Sequence, residues 1–137
     1  MTESRPNLFR NDAGAEWMPA GRVVFSAGDA PGDLMYAVAD GEVDIQLNGV
    51  TVETIGPGGF FGEVALIDQQ PRSATAVVRQ DAHVVAITPR RFTFLVQQNP
   101  FFALEVMRTM VARIRRLSLP RCSSSSGPGN AVLNPAP

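Results

Sequence analysis

The strongest constraint on the fold is an alternation of apolar and polar residues with a period of two, which runs from Gly21 to about Pro89. It is clearest in GEVDIQLNG, where Val43, Ile45 and Leu47 would lie on one face of a strand and polar residues on the other. This pattern is typical of an antiparallel strand with one buried and one solvated face. Further short strands are predicted at RVVFS, LMYAVA, VTVETI, SATAVVR and HVVAIT. The alternation therefore predicts an all-β sandwich or jelly roll.

Two dipeptides flank the clearest strand, Asp40-Gly41 before it and Asn48-Gly49 after it. Tight two-residue hairpin turns need positive φ at their central positions, which Asn or Asp followed by Gly adopts at low cost. We therefore predict a hairpin turn at each of them.

After Pro89 the pattern changes to that of helices, over RRFTFLVQQ and PFFALEVMRTMVARIRRLS, with Pro100 in the first turn of the second. The second helix carries an apolar stripe, for which packing against the protein's own body is favoured over a seam with a partner. The stripe consists of Ala103, Met107, Met110, Ile114 and Leu117, flanked by Leu104 and Val111. The basic end of this helix is interpreted as a solvated face near the negative helix terminus, so no direct DNA binding is expected.

Composition excludes several classes of protein. The 137 residues are 45% hydrophobic and 18% charged, which predicts one globular domain with a core of its own. The net charge of -1 gives no argument for nucleic acid, and a single Cys excludes a disulfide framework. No apolar run reaches the roughly 18 residues of a membrane helix, and the polar N-terminus lacks a signal-peptide core. We therefore expect a cytoplasmic protein without a membrane segment.

Enzymatic function is not expected. A metal-dependent enzyme on a related cupin-type barrel would need several His ligands, and the chain has only His83. No nucleophile with a nearby base can be identified either. The sequence therefore predicts no catalytic residue and no metal site.

The segment GGFFGEVALIDQQPRSATAVV places Glu63 and Arg72 among apolar neighbours, where isolated charges are costly. A short helix opening after Gly62 would present free N–H groups to an anion, and Arg72 would add a bidentate fork for phosphate. Glu63 would then accept a hydrogen bond from a sugar hydroxyl. Alternatively, Glu63 lies at a favourable helix terminus and pairs with Arg72 across the turn. The residues alone leave these two interpretations equally open.

The segment FGEVALIDQQPRSAT resembles the phosphate-binding cassette of the cyclic nucleotide-binding domain, a module of cAMP-dependent kinase regulatory subunits, the catabolite activator protein and cyclic nucleotide-gated channels. The matching positions are Phe61, Gly62, Glu63, Ala65, Leu66, Pro71, Arg72, Ser73, Ala74 and Thr75. The resemblance covers about residues 19 to 118 and includes the turn glycines Gly21, Gly28, Gly32 and Gly41. It implies a mainly β fold: an eight-stranded antiparallel jelly-roll β-barrel with a short cassette helix and two C-terminal helices.

The resemblance also implies a role for each matching residue. The ribose would be bound by Gly62 and Glu63, the phosphate by Arg72, Ser73 and Ala74, with the backbone of Val64 and Ala65 completing the cradle. The candidates for a lid over the base are Ile114, Arg115 and Leu117. Ser73 stands where many cAMP kinases have Ala and many cGMP-preferring members have Thr, so it leaves the base open. The implied ligand is cAMP, possibly cGMP, with no cofactor besides it.

The predicted organisation is a short N-terminal segment at 1–18, a cyclic nucleotide-binding domain at 19–119 and a disordered tail at 120–137, which is rich in Ser, Gly and Pro. No output domain is recognised after the last helix. The resemblance therefore predicts a stand-alone receptor that signals through its C-terminal helices to an unidentified output protein or as a homodimer. The alternative is an interaction module that keeps the fold and binds no nucleotide. Retention of both Glu63 and Arg72 argues against that alternative.

Overall fold

The structure, a computed structural model, describes residues 7–118. These residues form an antiparallel sheet followed by two helices, which confirms the predicted fold class. The strands are β1 (Glu16–Met18), β2 (Val23–Phe25), β3 (Met35–Leu47), β4 (Val50–Ile55), β5 (Phe60–Phe61) and β6 (Thr75–Ile87). A short 3-10 helix at Glu63–Leu66, here called the cassette helix, precedes β6, and α1 (Pro89–Gln98) and α2 (Phe101–Ser118) follow it. The chain divides into two compact units between Phe94 and Leu95.

The sheet of the first unit is built on the pairing of its two longest strands. β3 and β6 pair from Met35 opposite Ile87 to Gln46 opposite Thr75. The strand order is β1-β6-β3-β4, while β2 also pairs with β6 and β5 with β3. Within residues 7–118 the outer strands β1 and β4 do not pair with each other, so the sheet is open there and the implied barrel closure is not seen.

The described residues contain six strands, whereas the resemblance implies eight. Segments expected as separate strands are continuous: LMYAVA joins GEVDIQL in β3, and SATAVVR joins HVVAIT in β6. The register between β3 and β6 shifts at three places between Val38 and Val43, which allows these long strands to bend. β3 and β6 therefore each take the place of two shorter predicted strands.

The two turn predictions have opposite outcomes. Asn48-Gly49 is the hairpin turn between β3 and β4, with φ of 53° and 81°. The prediction for Asp40-Gly41 is wrong, because this dipeptide lies inside β3 at a shift in register. A Cβ on Gly41 would lie 2.2 Å from the carbonyl oxygen of Asp81, so glycine is needed there for close contact with the neighbouring strand.

The core of the first unit follows the alternation of the strands. It is formed by Met18, Val38, Val43, Ile55, Phe61, Ala76, Val78, Ala82 and Val84. Four partly buried residues pack against this core, namely Val24, Phe25, Tyr36 and Ile45. Two of these four are aromatic, and both lie next to the cassette residues.

In the second unit, α2 buries Phe102 and Val106, which are one helical turn apart. Of the predicted apolar stripe, Met107 is 55% exposed and Ile114 is 61% exposed, whereas Ala103 and Met110 are partly buried. The expectation that the stripe packs against the protein's own body is therefore wrong for these two residues. The helix has apolar residues on several faces, so periodicity alone does not identify the buried one. None of the helices in the described part of the chain is long and apolar enough to cross a membrane.

Candidate functional site

The cassette begins at a glycine in the left-handed region. Gly62 has φ of 75° and precedes the cassette helix directly, so the predicted short helix after Gly62 is confirmed. Other residues are strained at such an angle, which explains the glycine between β5 and the helix. Glu63 is the first residue of the helix and is only 4% exposed, although it is charged. The turn thus places the buried carboxylate of Glu63 at the start of the cassette helix.

The returning loop is anchored through the backbone of Arg72. Its N–H donates to the carbonyl of Asp29 at 2.8 Å, and its carbonyl accepts from the N–H of Gly28 at 2.8 Å. Close by, the N–H of Ala27 donates to the hydroxyl oxygen of Thr75 at 2.9 Å. The turn that follows β2 therefore fixes where the side chain of Arg72 starts.

The guanidinium of Arg72 reaches from this anchor to the start of the cassette helix. Nη1 donates to the carbonyl of Gly62 at 3.2 Å, and Nη2 donates to the carbonyl of Leu34 at 2.9 Å. The central guanidinium carbon lies 4.1 Å from the ring centroid of Phe25 and 5.9 Å from that of Tyr36. Both ends of the Arg72 side chain are thus held by other parts of the first unit.

The guanidinium of Arg72 has more N–H donors than its two hydrogen bonds to carbonyl oxygens use. Arginine carries five N–H donors, and the two hydrogen bonds to carbonyl oxygens leave three. Arg72 takes part in none of the ion pairs formed within residues 7–118. Burial lowers the pKa of the guanidinium, while interactions with Tyr36, Asp29 and Glu63 raise it. Because arginine stays protonated in proteins, the cassette contains a partly buried positive charge suited to an anion.

The other predicted cassette residues lie around this charge. Ala65 is buried and its N–H already donates to the carbonyl of Gly62 at 3.2 Å. Val64 and Ser73 are exposed and Ala74 is partly buried. The N–H groups of Val64, Ser73 and Ala74 donate to no acceptor within the described range 7–118. The role of these groups, and of the N–H of Ala65, in a ligand cradle stays a prediction.

The three lid candidates belong to the C-terminal end of α2, in the second unit. Ile114 and Arg115 are exposed. The side chain of Leu117 lies outside the described residues. Their role as a lid stays a prediction.

Sequence reasoning missed three partners of Arg72: the rings of Phe25 and Tyr36 and the carbonyl of Leu34. The alternation does place Tyr36 two residues before the buried Val38, on the same side of β3. No local pattern links these positions to Arg72, because they come from distant parts of the chain that meet only in the folded sheet.

Comparison with known proteins identifies the family of this chain. The model of the cyclic nucleotide-binding domain family matches residues 15–99. The cyclic AMP receptor protein of Thermus thermophilus is 33% identical over 106 residues, which cover 74% of this chain and 49% of the receptor. The chain spans about half or less of the length of the curated relatives it matches.

Solved structures show the same similarity. The catabolite activator protein of Thermus thermophilus has a TM-score of 0.64 at 32% identity, covering 77% of this chain and 51% of that chain. An EAL enzyme in its cAMP-bound form has a TM-score of 0.55 at 30% identity, and in its cGMP-bound form 0.57 at 31%. Both EAL comparisons cover 74% of this chain and 28% of the enzyme. Gly62, Glu63 and Arg72 all lie within the residues that the family model matches. This chain belongs to the cyclic nucleotide-binding domain family.

Proposed function

We propose that this chain binds a cyclic nucleotide at its cassette, cAMP in preference to cGMP, and carries out no reaction on it. The observation that carries the proposal is Arg72, a partly buried cation that the carbonyls of Gly62 and Leu34 hold beside the cassette helix. A cyclic phosphate is a compact monoanion whose two free oxygens match an arginine fork. The N–H groups of Val64, Ser73 and Ala74 supply further donors for it.

Glu63 is the second part of the proposed site. Its carboxylate is buried one residue after Gly62, whose carbonyl accepts from Arg72. Next to a phosphate, a carboxylate is favourable only when it binds a different group of the ligand, and the ribose 2'-hydroxyl is a donor that a carboxylate accepts. We therefore assign the sugar to Glu63 and the phosphate to Arg72.

The comparisons support a nucleotide ligand and leave the base to be measured. The Thermus relative is a cyclic AMP receptor, and the EAL enzyme has been solved with cAMP and with cGMP. Ser73 is exposed in the cassette, and its small hydroxyl is compatible with either nucleotide. The preference for cAMP is accordingly modest.

Calorimetry with cAMP, cGMP and 5'-AMP tests the proposal. We expect cAMP to bind tightest, cGMP to follow, and 5'-AMP to bind far more weakly because its phosphate is an extended dianion. Equal affinity for cAMP and 5'-AMP would contradict the cassette assignment. No binding of any of the three would instead favour an interaction module that keeps the fold without a nucleotide.

We further propose that occupancy is passed on through the C-terminal helices to a partner chain or a second copy. Support comes from α2, where Phe101, Met107 and Ile114 are more than half exposed and could be covered by another protein. A ligand can shift such a helix only if it binds one conformation better than the other. Size-exclusion chromatography with and without saturating cAMP tests self-association. An elution volume that cAMP does not change at any protein concentration would exclude the second copy and favour a different partner chain.

A further inference from the structure

Three aromatic rings form a cluster beside the cassette. Phe25 ends β2, Tyr36 lies in β3, and Phe61 ends β5. The centroid of Phe25 lies 5.9 Å from that of Tyr36 and 6.0 Å from that of Phe61, and Tyr36 stacks on Phe61 at 5.4 Å. Such separations are typical of favourable aromatic pairs. Because each ring comes from a different strand, the sheet fixes the cluster.

The guanidinium of Arg72 lies over one side of this cluster. Its central carbon is 4.1 Å from the centroid of Phe25, well within the range of a cation–π interaction, and 5.9 Å from that of Tyr36. Phe61 belongs to the cluster without lying under the cation in the described structure. Phe25 is thus the principal ring in contact with Arg72, and Tyr36 and Phe61 support it.

The absent side chain of Gly62 leaves room for this arrangement. A Cβ at that position would lie 2.9 Å from Nη1 of Arg72, 3.3 Å from Cε2 of Phe25 and 3.5 Å from Cδ2 of Tyr36. The guanidinium and the rings therefore fill the space next to the glycine. Together with the carbonyls of Gly62 and Leu34, the rings leave Arg72 little freedom to choose another rotamer.

We propose that Phe25 is a positioning residue for nucleotide binding, which holds the guanidinium of Arg72 in its phosphate-binding orientation before the ligand arrives. This inference rests on the proposed function, since it assigns the phosphate to Arg72. A long side chain that is ordered only on binding loses rotamer entropy at that step, which weakens the complex. Here the rings and carbonyls impose that order when the protein folds. In this role Phe25 acts through Arg72, over whose guanidinium carbon its ring lies at 4.1 Å.

The test compares Phe25→Leu with Phe61→Leu, each made in the wild-type protein and in Arg72→Ala. Both changes remove a ring from the same cluster and keep an apolar side chain, but only the first removes the ring under Arg72. We expect Phe25→Leu to weaken cAMP binding about threefold to tenfold. In the Arg72→Ala background the same change should alter affinity by less than about twofold, because no cation remains to be positioned. Phe61→Leu keeps the ring under Arg72, so any change in affinity that it causes should be of the same size in both backgrounds, and melting temperatures identify any loss of fold.

A second measurement reads the ligand-free protein. In an arginine-labelled sample, the Nε–H signal of Arg72 is assigned by its disappearance in Arg72→Ala. We expect the ring current of Phe25 to shift that proton away from the signals of exposed arginines, and Phe25→Leu to remove the shift.

The outcomes distinguish the positioning role of Phe25 from the proposed binding of a cyclic nucleotide. Equal cAMP affinity of wild type and Phe25→Leu, or an Arg72 signal that Phe25→Leu does not move, overturns the positioning role and leaves the proposed function standing. An equal loss in the Arg72→Ala background also overturns it, because the ring would then act without Arg72. Wild-type protein that binds neither cAMP nor cGMP overturns both claims.

Discussion

Replacing Arg72 by Ala is the most direct test of the phosphate site. The variant removes one partner of a desolvated ion pair with the ligand, a loss that costs ~3 to 5 kcal/mol for fully buried pairs. Arg72 is only partly buried, so solvent screens the pair and the lower end of that range applies. We expect a loss of ~3 kcal/mol, which is roughly two decades in Kd.

The same variant should also weaken the fold. Arg72→Ala removes one donor from the carbonyl of Gly62, which keeps the N–H of Ala65 at 3.2 Å, and one from the carbonyl of Leu34. Losing these two hydrogen bonds costs ~1 kcal/mol each, and each kcal/mol corresponds to roughly a few degrees in melting temperature for a domain of this size. The loss of affinity is therefore measured at a temperature where the variant is shown to be folded.

The assay is titration calorimetry with cAMP, with thermal unfolding of each variant as the check on the fold. Ser73→Ala is the matched control, because it removes one exposed neutral hydroxyl from the same loop and should cost ~0.5 to 1.5 kcal/mol. Arg72→Lys keeps the charge but loses the fork, so it should bind with intermediate affinity. If folded Arg72→Ala and Ser73→Ala bind cAMP within a few fold of wild type, the phosphate does not lie at Arg72.

Three further predictions concern the sugar, the N-terminal segment and the last helix. Glu63→Ala should weaken binding of cAMP but hardly that of 2'-deoxy-cAMP, which has no 2'-hydroxyl for the carboxylate; equal losses in calorimetry would return Glu63 to a structural role. The pKa of Asp12 is lowered mainly by its hydrogen bond with Arg91. The pair therefore stabilises the fold fully at a pH above the unfolded pKa of about 3.9. This stabilisation is lost as the pH falls through the lower pKa of the folded protein. Asp12→Asn should therefore reduce the free energy of unfolding at pH 7 by ~1 to 2 kcal/mol, and a difference of the same size in denaturant titrations well below pH 3 would contradict this. Saturating cAMP should slow amide exchange in residues 101–118, and deletion of residues 113–137 should keep the β fold with weaker cAMP binding; unchanged exchange together with full affinity would exclude both lid and switch.

Local patterns predicted much of the fold and failed where distant strands determine the structure. Asn48-Gly49 and Asp40-Gly41 carry the same turn signal, yet only the first is a turn. The role of Gly41 depends on the backbone of Asp81 in the neighbouring strand, which no window around Gly41 contains. The same limit explains why two long bent strands were predicted as four short ones.

The residues of the site were likewise predicted only in part. Gly62, Glu63 and Arg72 lie within one short segment whose pattern was recognisable, so they could be predicted together. The carbonyl of Leu34 lies 38 residues from Arg72 in the chain, and Phe25 is further away still. Their contact with Arg72 follows from strand pairing rather than from any spacing in the sequence. The residues that the pattern identified are those expected to bind the ligand, and the residues it missed hold them in place.

The pairing of β3 with β6 determines when the site can form during protein synthesis. Within residues 7–118, β2 pairs with β6 alone, so the turn that anchors Arg72 has no strand partner until β6 has left the ribosome. Because chains emerge from their N-terminus, the cassette residues are made before the strand that fixes them. The residues that pair with β2, Ala76 and Val77, are therefore synthesised after the whole cassette, so β2 can join the sheet only once every cassette residue has been made.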